Sequence, residues 1–408
     1  MTTWIDPQPV TIPAAFESLG LHPLIAQTLV RRGIQDKATA QAFLDPSRYT
    51  PTSGREIPGL NLAVERINQA IQKKESICVW GDFDVDGQTA TAILVETLTA
   101  LGADVTYHIP VRARESHGVN VSILKEIIDN GAQLILTCDT GITAHEAVGY
   151  ASSRGVDMVI TDHHELPPEL PRAAAVTNPR LLPAEHPLYT LAGAGLAYKL
   201  AEELLIQHQA SHTPEMLLDL AALGLVADVA TLTGETRYLV QKGLETLRQA
   251  NRLGLKTMLE MAEVNPAHLT EEHIGFVLGP RLNALGRLGD ANPAVELLTT
   301  QNPARARVLA TQLEGLNAQR QLLTRQVAEA AEAQLRADPA LLSEPVIVLA
   351  HPAWPAGVIG IAASRLVERY NRPAILLASP PGEPARGSAR SIEGINITAA
   401  IAAQEALL

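Results

Sequence analysis

Aromatic side chains make up only 3% of the 408 residues, although 46% of the chain is hydrophobic. Aliphatic residues must therefore fill the core, and a chain of this length supports two or three domains. Cysteine is nearly absent: Cys78 and Cys138 both fall in apolar runs. That excludes a disulfide scaffold and predicts reduced, buried thiols of a cytoplasmic protein, with a redox role as the alternative. No run of about 18 apolar residues occurs, so no membrane-spanning helix is expected. The opening residues Met1-Thr2-Thr3-Trp4-Ile5-Asp6 lack the basic-then-apolar pattern of a signal peptide. Positive charge is also scarce. The net charge of -12 counts against non-specific binding to polyanions. It is unevenly spread, however. Arg281, Arg287, Arg305, Arg307, Arg320, Arg325 and Arg336 outnumber Asp290, Glu296, Glu314, Glu329 and Glu332 over the same stretch, which predicts a local basic surface.

What the chain has is acid where acid is costly. Asp82, Asp84 and Asp86 occupy alternate positions of Trp80-Gly81-Asp82-Phe83-Asp84-Val85-Asp86-Gly87, directly after the apolar run Ile77-Cys78-Val79. Like charges this close raise one another's pKa, and a metal or an arginine is the usual remedy. No arginine or lysine lies within the motif. An EF-hand loop is excluded, because a strand precedes the motif and no Glu occupies its twelfth position. Two further apolar runs end the same way: Leu134-Ile135-Leu136-Thr137-Cys138 runs into Asp139-Thr140-Gly141, and a later one into Thr161-Asp162-His163-His164-Glu165. Three such loops describe one metal site, in which Asp139 is the obvious carboxylate to bridge two cations. Adjacent histidines point different ways, so one of His163 and His164 can bind metal while the other faces substrate. Asp162 then suits an orienting role. Helix capping or a solvated turn is the bland alternative for each acid.

Weaker signals follow. Asp228 lies in the apolar run Leu223 to Ala230 and needs a partner, either a metal or backbone. Arg112, Arg114, Glu115, His117 and Gly118 form a polar loop, and Arg281, Asn283 and Arg287 recur within Gly279 to Arg287. Arginines suit bidentate phosphate contacts, although surface ion pairs are commoner. In Arg386-Gly387-Ser388-Ala389-Arg390-Ser391, small residues would let backbone approach a phosphate.

Residues 1–60 read as an N-terminal arm with a short helix over Ala38 to Leu44. From Leu62, helices and continuous apolar strands alternate, with strands at 76–80, 105–109, 134–138, 157–161 and 174–177. The pattern predicts an α/β fold with a parallel sheet covered on both faces, whose ligand sits beyond the carboxyl ends of the strands. Asp82, Asp139 and Asp162 all lie there. After about residue 190 the chain is mostly helical, with candidates at 191–208, 214–226, 236–250 and 270–285. One unbroken helix is predicted from Pro303 to Asp338, roughly 54 Å long at 1.5 Å per residue and suited to joining two domains. A strand-helix-strand unit follows. The expected division is an arm (1–60), a catalytic domain (61–300), a connecting helix (303–338) and a second, smaller α/β domain (345–408).

These motifs together resemble the DHH phosphoesterase superfamily and, within it, the RecJ type of single-strand-specific exonuclease. Asp82 to Gly87 resembles the first motif, with Phe83 where Tyr is more usual. Arg114-Glu115-Ser116-His117-Gly118 is similar to the second, Asp139-Thr140-Gly141 to the third, and Asp162-His163-His164 is the signature. Ala227-Asp228-Val229 and Gly279 to Arg287 resemble later motifs. Gly357 to Arg365 and Gly387 to Ser391 resemble the start of an associated DHHA1 domain. Pro355 stands where many relatives have His. Relatives continue into a Gly-Gly-His motif and an OB-type domain, so a truncated chain is the expectation.

The resemblance implies two Mn²⁺ or Mg²⁺ ions bridged by Asp139, with Asp82 and Asp84 at one and Asp86, His163 and Asp228 at the other. It assigns catalysis to His164, Asp162 and His117, with His164 at the scissile phosphate. Arg114, Arg281, Asn283, Arg287, Gly387, Ser388, Arg390 and Ser391 would hold the substrate. That substrate would be single-stranded DNA, degraded from its 5′ end in repair and recombination, with a single-strand-binding protein or a helicase as partner. The alternatives are a small-substrate phosphoesterase of the same superfamily, acting on pyrophosphate, a cyclic dinucleotide or a short oligonucleotide, and a metal-free binding scaffold.

Overall fold

The computed structural model describes residues 6–115 and 117–404. The segment Met1 to Ile5 and Ser116 of the second motif lie outside the described residues. Strands β1 (Ser76–Trp80), β2 (Asp104–His108), β3 (Leu134–Cys138), β4 (Asp157–Thr161) and β5 (Ala175–Thr177) form a parallel sheet in the order β2-β1-β3-β4-β5. Their apolar runs alternate in direction, because successive side chains of a strand point to opposite faces. Ile77, Val79, Leu134, Leu136 and Val159 enter the core shared with the helices Leu60–Lys73, Val85–Ala100 and Gly193–His208. Cys78, Trp80, Ile135, Met158 and Ile160 pack on the other face, against Leu124, Ile128, Val148 and Ala151. Strand order reverses between β1 and β3. In open sheets that switch point opens a crevice at the carboxyl ends of the strands, where ligands bind.

A second sheet comprises β6 (Ile347–His351), β7 (Ala374–Ala378) and β8 (Arg386–Arg390), with β6 parallel and β8 antiparallel to β7. The helix Ala356–Tyr370 covers it. The 35-residue helix Pro303–Ala337 joins the two parts. Its Leu309 and Leu313 lie in the first core, and its Val327, Ala331 and Leu335 lie in the second. No helix among the described residues is long and apolar enough to cross a membrane.

The structure departs from the sequence reading at several places, among them the helices Leu253–Met261 and Asn292–Thr299, which were not expected. The acidic motif is not all loop, because the following helix begins at Val85. Most of the Gly387 to Ser391 segment is strand rather than loop, because Gly387 pairs with Leu377 and Arg390 with Ala374 along one side of the edge strand β8. The N-terminal arm has its own small core of Phe16, Ala26, Leu29, Ile34 and Ala40, built partly by the unanticipated helix Pro23–Arg31.

Candidate metal centre

The β1 strand ends at Trp80 and delivers the acidic motif to the switch point. Asp84 adopts an extended conformation and caps the next helix, its Oδ1 accepting from the Gly87 amide at 3.1 Å. The helix then carries Asp86 inward, to 1% exposure. Both Asp86 oxygens accept backbone hydrogen bonds, from Gly193 at 2.6 Å and Ala194 at 2.9 Å. Those amides open the helix Gly193–His208, whose dipole favours an anion at that end. Asp139 follows β3 directly, in the left-handed region at φ 60° and nearly fully buried. A Cβ on Gly193 would lie 2.6 Å from the Asp139 Cβ, so only glycine lets the helix end come this close.

Asp162 follows β4 but is saturated by donors. Its Oδ1 accepts from the His163 amide (2.7 Å), the His164 amide (3.1 Å) and His164 Nδ1 (2.7 Å), and its Oδ2 from the Ile142 amide (2.8 Å). Burial works to raise its pKa, but the His164 and backbone hydrogen bonds outweigh it and leave the carboxyl below its ordinary value. The Asp162 hydrogen bond in turn pushes His164 up to about 9, against the effect of burial, so this half-exposed ring is an imidazolium at neutral pH. His163 goes the other way: burial, then the neighbouring His164, lowers it to about 4 and leaves it neutral. Its Nε2 lies 2.9 Å from Asp139 Oδ1 and 3.7 Å from Asp86 Oδ2, and its Nδ1 lies 4.0 Å from Asp228 Oδ2. Asp228 itself closes the buried helix Leu218–Ala227.

Three groups of ligand atoms converge, each within 4.8 Å: Asp82, Asp84 and Asp139; Asp86, His163 and Asp228; and Asp139, His163 and His164. Asp139 belongs to two of them. Burial, and after it the neighbouring carboxylates, raises Asp86 and Asp139 well above their ordinary value, Asp82 to about 7 and Asp228 to about 6. Asp139 Oδ1 is buried and accepts no hydrogen bond among the described residues, although His163 Nε2 is close by. The two atoms thus approach without a hydrogen bond between them. A divalent cation satisfies both. Oxygen donors with one imidazole suit Mg²⁺ or Mn²⁺, so the residues present fit a metal pair.

Beside this cluster lies a cavity of about 760 Å³ lined by Arg112, Arg114, His117, Arg287, Arg386 and Gly387, among others. Burial, and then Arg112, Arg320 and Arg390, lowers the Arg287 pKa. Phe83 braces the near wall: its ring lies 4.8 Å from His117 and 5.1 Å from the Arg112 guanidinium. Burial, followed by Arg112, lowers the His117 pKa. Arg390 Nη1 reaches Ser388 Oγ at 3.1 Å. A Cβ on Gly286 would collide with the Phe83 carbonyl oxygen, so the helix Gly279–Leu288 rests directly on the acidic motif and presents Arg287 to the cavity.

Other predicted residues sit elsewhere. Arg281 is held by Glu314 at 2.7 Å and by the Val277 carbonyl at 2.9 Å, which gives its charge a structural partner. Asn283 is half-buried on the same helix. Ser391 Oγ donates to the Ile395 carbonyl at 2.7 Å. Glu115 ties down its own loop through His108 Nε2 (2.8 Å) and the Val111 amide (3.1 Å). The basic surface expected over 281–336 is partly neutralised within the fold, as three of its seven arginines, Arg281, Arg305 and Arg336, pair with Glu314, Glu296 and Glu332. Positive charge gathers instead from separate segments around Arg287.

Sequence reading missed the turn after β5. Asn178, fully buried, donates through Nδ2 to the His164 carbonyl at 3.0 Å, and Arg180 Nε donates to the His163 carbonyl at 2.9 Å. No residue pattern announces that clamp. Gly193 was more legible, because the run Ala192-Gly193-Ala194-Gly195 at a helix start signals close backbone approach.

Comparison with known proteins agrees with this geometry. The DHH family, N-terminal domain, matches residues 76–225, and the DHHA1 domain matches residues 343–407. Fold and carboxylate cluster thus define a DHH-family protein with a DHHA1 domain. The single-stranded-DNA-specific exonuclease RecJ of Bacillus subtilis (strain 168) is 41% identical over 93% of this chain and 48% of its own length. The Salmonella typhimurium (strain LT2) exonuclease of the same name is 36% identical, over 93% of this chain and 68% of its own. A crystal structure of RecJ from Thermus thermophilus in complex with Mn²⁺ superposes with a TM-score of 0.81 at 34% identity, over 97% of this chain and 55% of that one. This chain belongs to the RecJ family. It spans about half the length of the Bacillus relative.

Proposed function

We propose that this chain is a two-metal phosphodiesterase that removes nucleotides from the 5′ end of single-stranded DNA, in the service of repair and recombination. The observation that carries the reading is Asp139, placed at the β1/β3 switch point between two ligand groups and beside an arginine-lined cavity of about 760 Å³. Asp82, Asp84 and Asp139 would hold one Mn²⁺ or Mg²⁺, and Asp139, Asp86, His163 and Asp228 the other. Once bound, such a pair supplies Lewis-acid stabilisation of charge on phosphorus-bound oxygens and lowers the pKa of the attacking water.

The protein's own residues do the rest. Asp162 fixes the His164 ring and keeps it protonated, so that it donates to a phosphate oxygen as charge builds there. The same carboxylate holds the backbone that aims His163 at the carboxylates. Arg114, Arg287 and Arg390 bind flanking phosphates as charge-assisted donors, and His117 borders the path between them and the metal cluster.

The extent of the arginine cavity favours a polymer over the small-substrate alternative. Steady-state turnover of a 5′-phosphorylated single strand, pyrophosphate and a cyclic dinucleotide with Mn²⁺ tests this directly. The single strand should be the best substrate by kcat/KM. Preference for either small molecule would move the chain to the small-substrate branch, and strand binding without turnover would make it a scaffold.

A further inference from the structure

A second cavity, of about 280 Å³, opens on the metal cluster and shares no lining residue with the arginine-lined one. Two candidate ligands, His163 and Asp228, form its floor, and Arg180, Tyr189, Thr190 and Val229 surround it. Arg180 is its one non-histidine cation among the described lining residues. Its Nε is anchored on the His163 carbonyl at 2.9 Å, its Nη1 lies 3.2 Å from the exposed Glu165 carboxylate, a solvated pair that an incoming phosphate would replace, and its guanidinium lies 5.7 Å from the centre of the Tyr189 ring. Aromatics are 3% of this chain, so a half-exposed tyrosine beside the metal ligands is not background. Across the mouth, Val229 is 86% exposed and held at φ 57°, a conformation a β-branched residue rarely adopts. Strain of that kind gathers at ligand sites.

We propose that this cavity is a nucleotide subsite, on the opposite side of the scissile phosphate from the arginine-lined cavity. The base stacks on Tyr189 and the adjoining phosphate meets the Arg180 guanidinium. The assignment rests on the phosphodiesterase reading above. A strand crossing the metal pair must leave on both sides, and each side then has a cationic, partly enclosed receptor. Stacking on an aromatic face accepts any base, which suits an enzyme that removes nucleotides without regard to sequence.

The test pairs protein and substrate deletions. Short 5′-phosphorylated strands carrying one abasic nucleotide, at each position in turn, are assayed with Mn²⁺ on the wild-type chain and on Tyr189→Leu, Tyr189→Phe and Arg180→Lys. One position next to the scissile bond should raise KM roughly tenfold in the wild type when its base is removed, the size expected of one stacked base. Tyr189→Leu should show the same loss with the intact strand and no further loss with that abasic strand, while Tyr189→Phe restores wild-type behaviour. Arg180→Lys should raise KM with every strand. Independent, additive effects of Tyr189 and the missing base, or an unchanged KM in Tyr189→Leu, would overturn the subsite while leaving the nuclease intact. A wild type that cleaves no single strand would instead remove the phosphodiesterase reading, and the subsite with it. Should Tyr189→Leu fail to fold, Tyr189→Gln, which also lacks an aromatic face, takes its place in the abasic series with the same expected and contrary outcomes.

Discussion

His163 Nε2 lies 2.9 Å from Asp139 Oδ1, a carboxylate oxygen that is buried and accepts no hydrogen bond among the described residues. The two atoms come this close without a hydrogen bond between them, so both are open to a cation. Asp139→Asn keeps the shape and the tolerance of φ 60° while removing the charge. Hydrolysis should fall by more than about a hundredfold, since even residues that only orient metal ligands cost 10–100-fold. Calorimetry should show weaker Mn²⁺ binding, and thermal unfolding in chelator should show no loss of stability. Near-normal turnover would take Asp139 out of the mechanism.

Metal removal should make stability depend on pH in a defined direction. Asp82, pushed up to about 7, and Asp228, pushed up to about 6, are carboxyls whose folded pKa lies above the unfolded value. Below about pH 4 both states are protonated and these groups contribute nothing. As pH rises through the interval to about 7, the unfolded chain ionises freely and the folded one resists, so stability is lost. Tm in chelator should therefore decline from pH 4.5 to 7.5, and added Mn²⁺ should remove most of the decline. Parallel Tm profiles with and without metal would show that these carboxylates do not hold it.

The two histidines should separate in function. His163→Ala should weaken Mn²⁺ binding. His164→Ala should leave metal occupancy intact and slow the chemical step. His164, raised to about 9 by Asp162, keeps its proton through neutral pH, so kcat should fall as pH rises through about 9. In Asp162→Asn that fall should begin nearer the ordinary histidine value of about 6.5. An alkaline limb that stays put in Asp162→Asn would exclude His164 as the titrating group.

Arg287 and Arg281 should differ although both lie on the helix Gly279–Leu288. Arg287→Ala should lower the salt slope of single-strand binding by about one released counterion. Arg281→Ala removes the partner of Glu314 and should cost stability while leaving the slope unchanged. Equal slopes for both variants would make Arg287 structural as well.

Two glycines provide a control on packing. Gly286→Ala drives a methyl into the Phe83 carbonyl and should cost about 1–3 kcal/mol and displace the acidic motif, lowering activity along with Tm. Gly315 is exposed within the connecting helix, and a Cβ placed there would meet nothing within 4 Å. Gly315→Ala should stabilise by about 0.5–1 kcal/mol with activity unchanged.

Much of the fold was readable because the central strands β1, β3 and β4 of the parallel sheet are buried on both faces. Leu134 to Cys138 is buried throughout and shows as an unbroken apolar run. The acids at the strand ends were readable for the same reason, since Asp139 interrupts such a run. The helix start at Val85 was hidden because Asp84 is at once a cap and a ligand candidate. Arg281 could not be told from Arg287, because its partner Glu314 lies 33 residues away and is brought in by packing of helices. The Asn178 and Arg180 clamp left no trace either. Its recipients are backbone carbonyls, which every residue possesses.

Digestion of one single strand labelled at its 5′ end and, separately, at its 3′ end tests the central claim most directly. With Mn²⁺, the 5′ label should appear at once as mononucleotide while the 3′ label stays in progressively shorter strands, and chelator should stop both. Release of the 3′ label first, cleavage that survives chelator, or no cleavage at all would contradict the account.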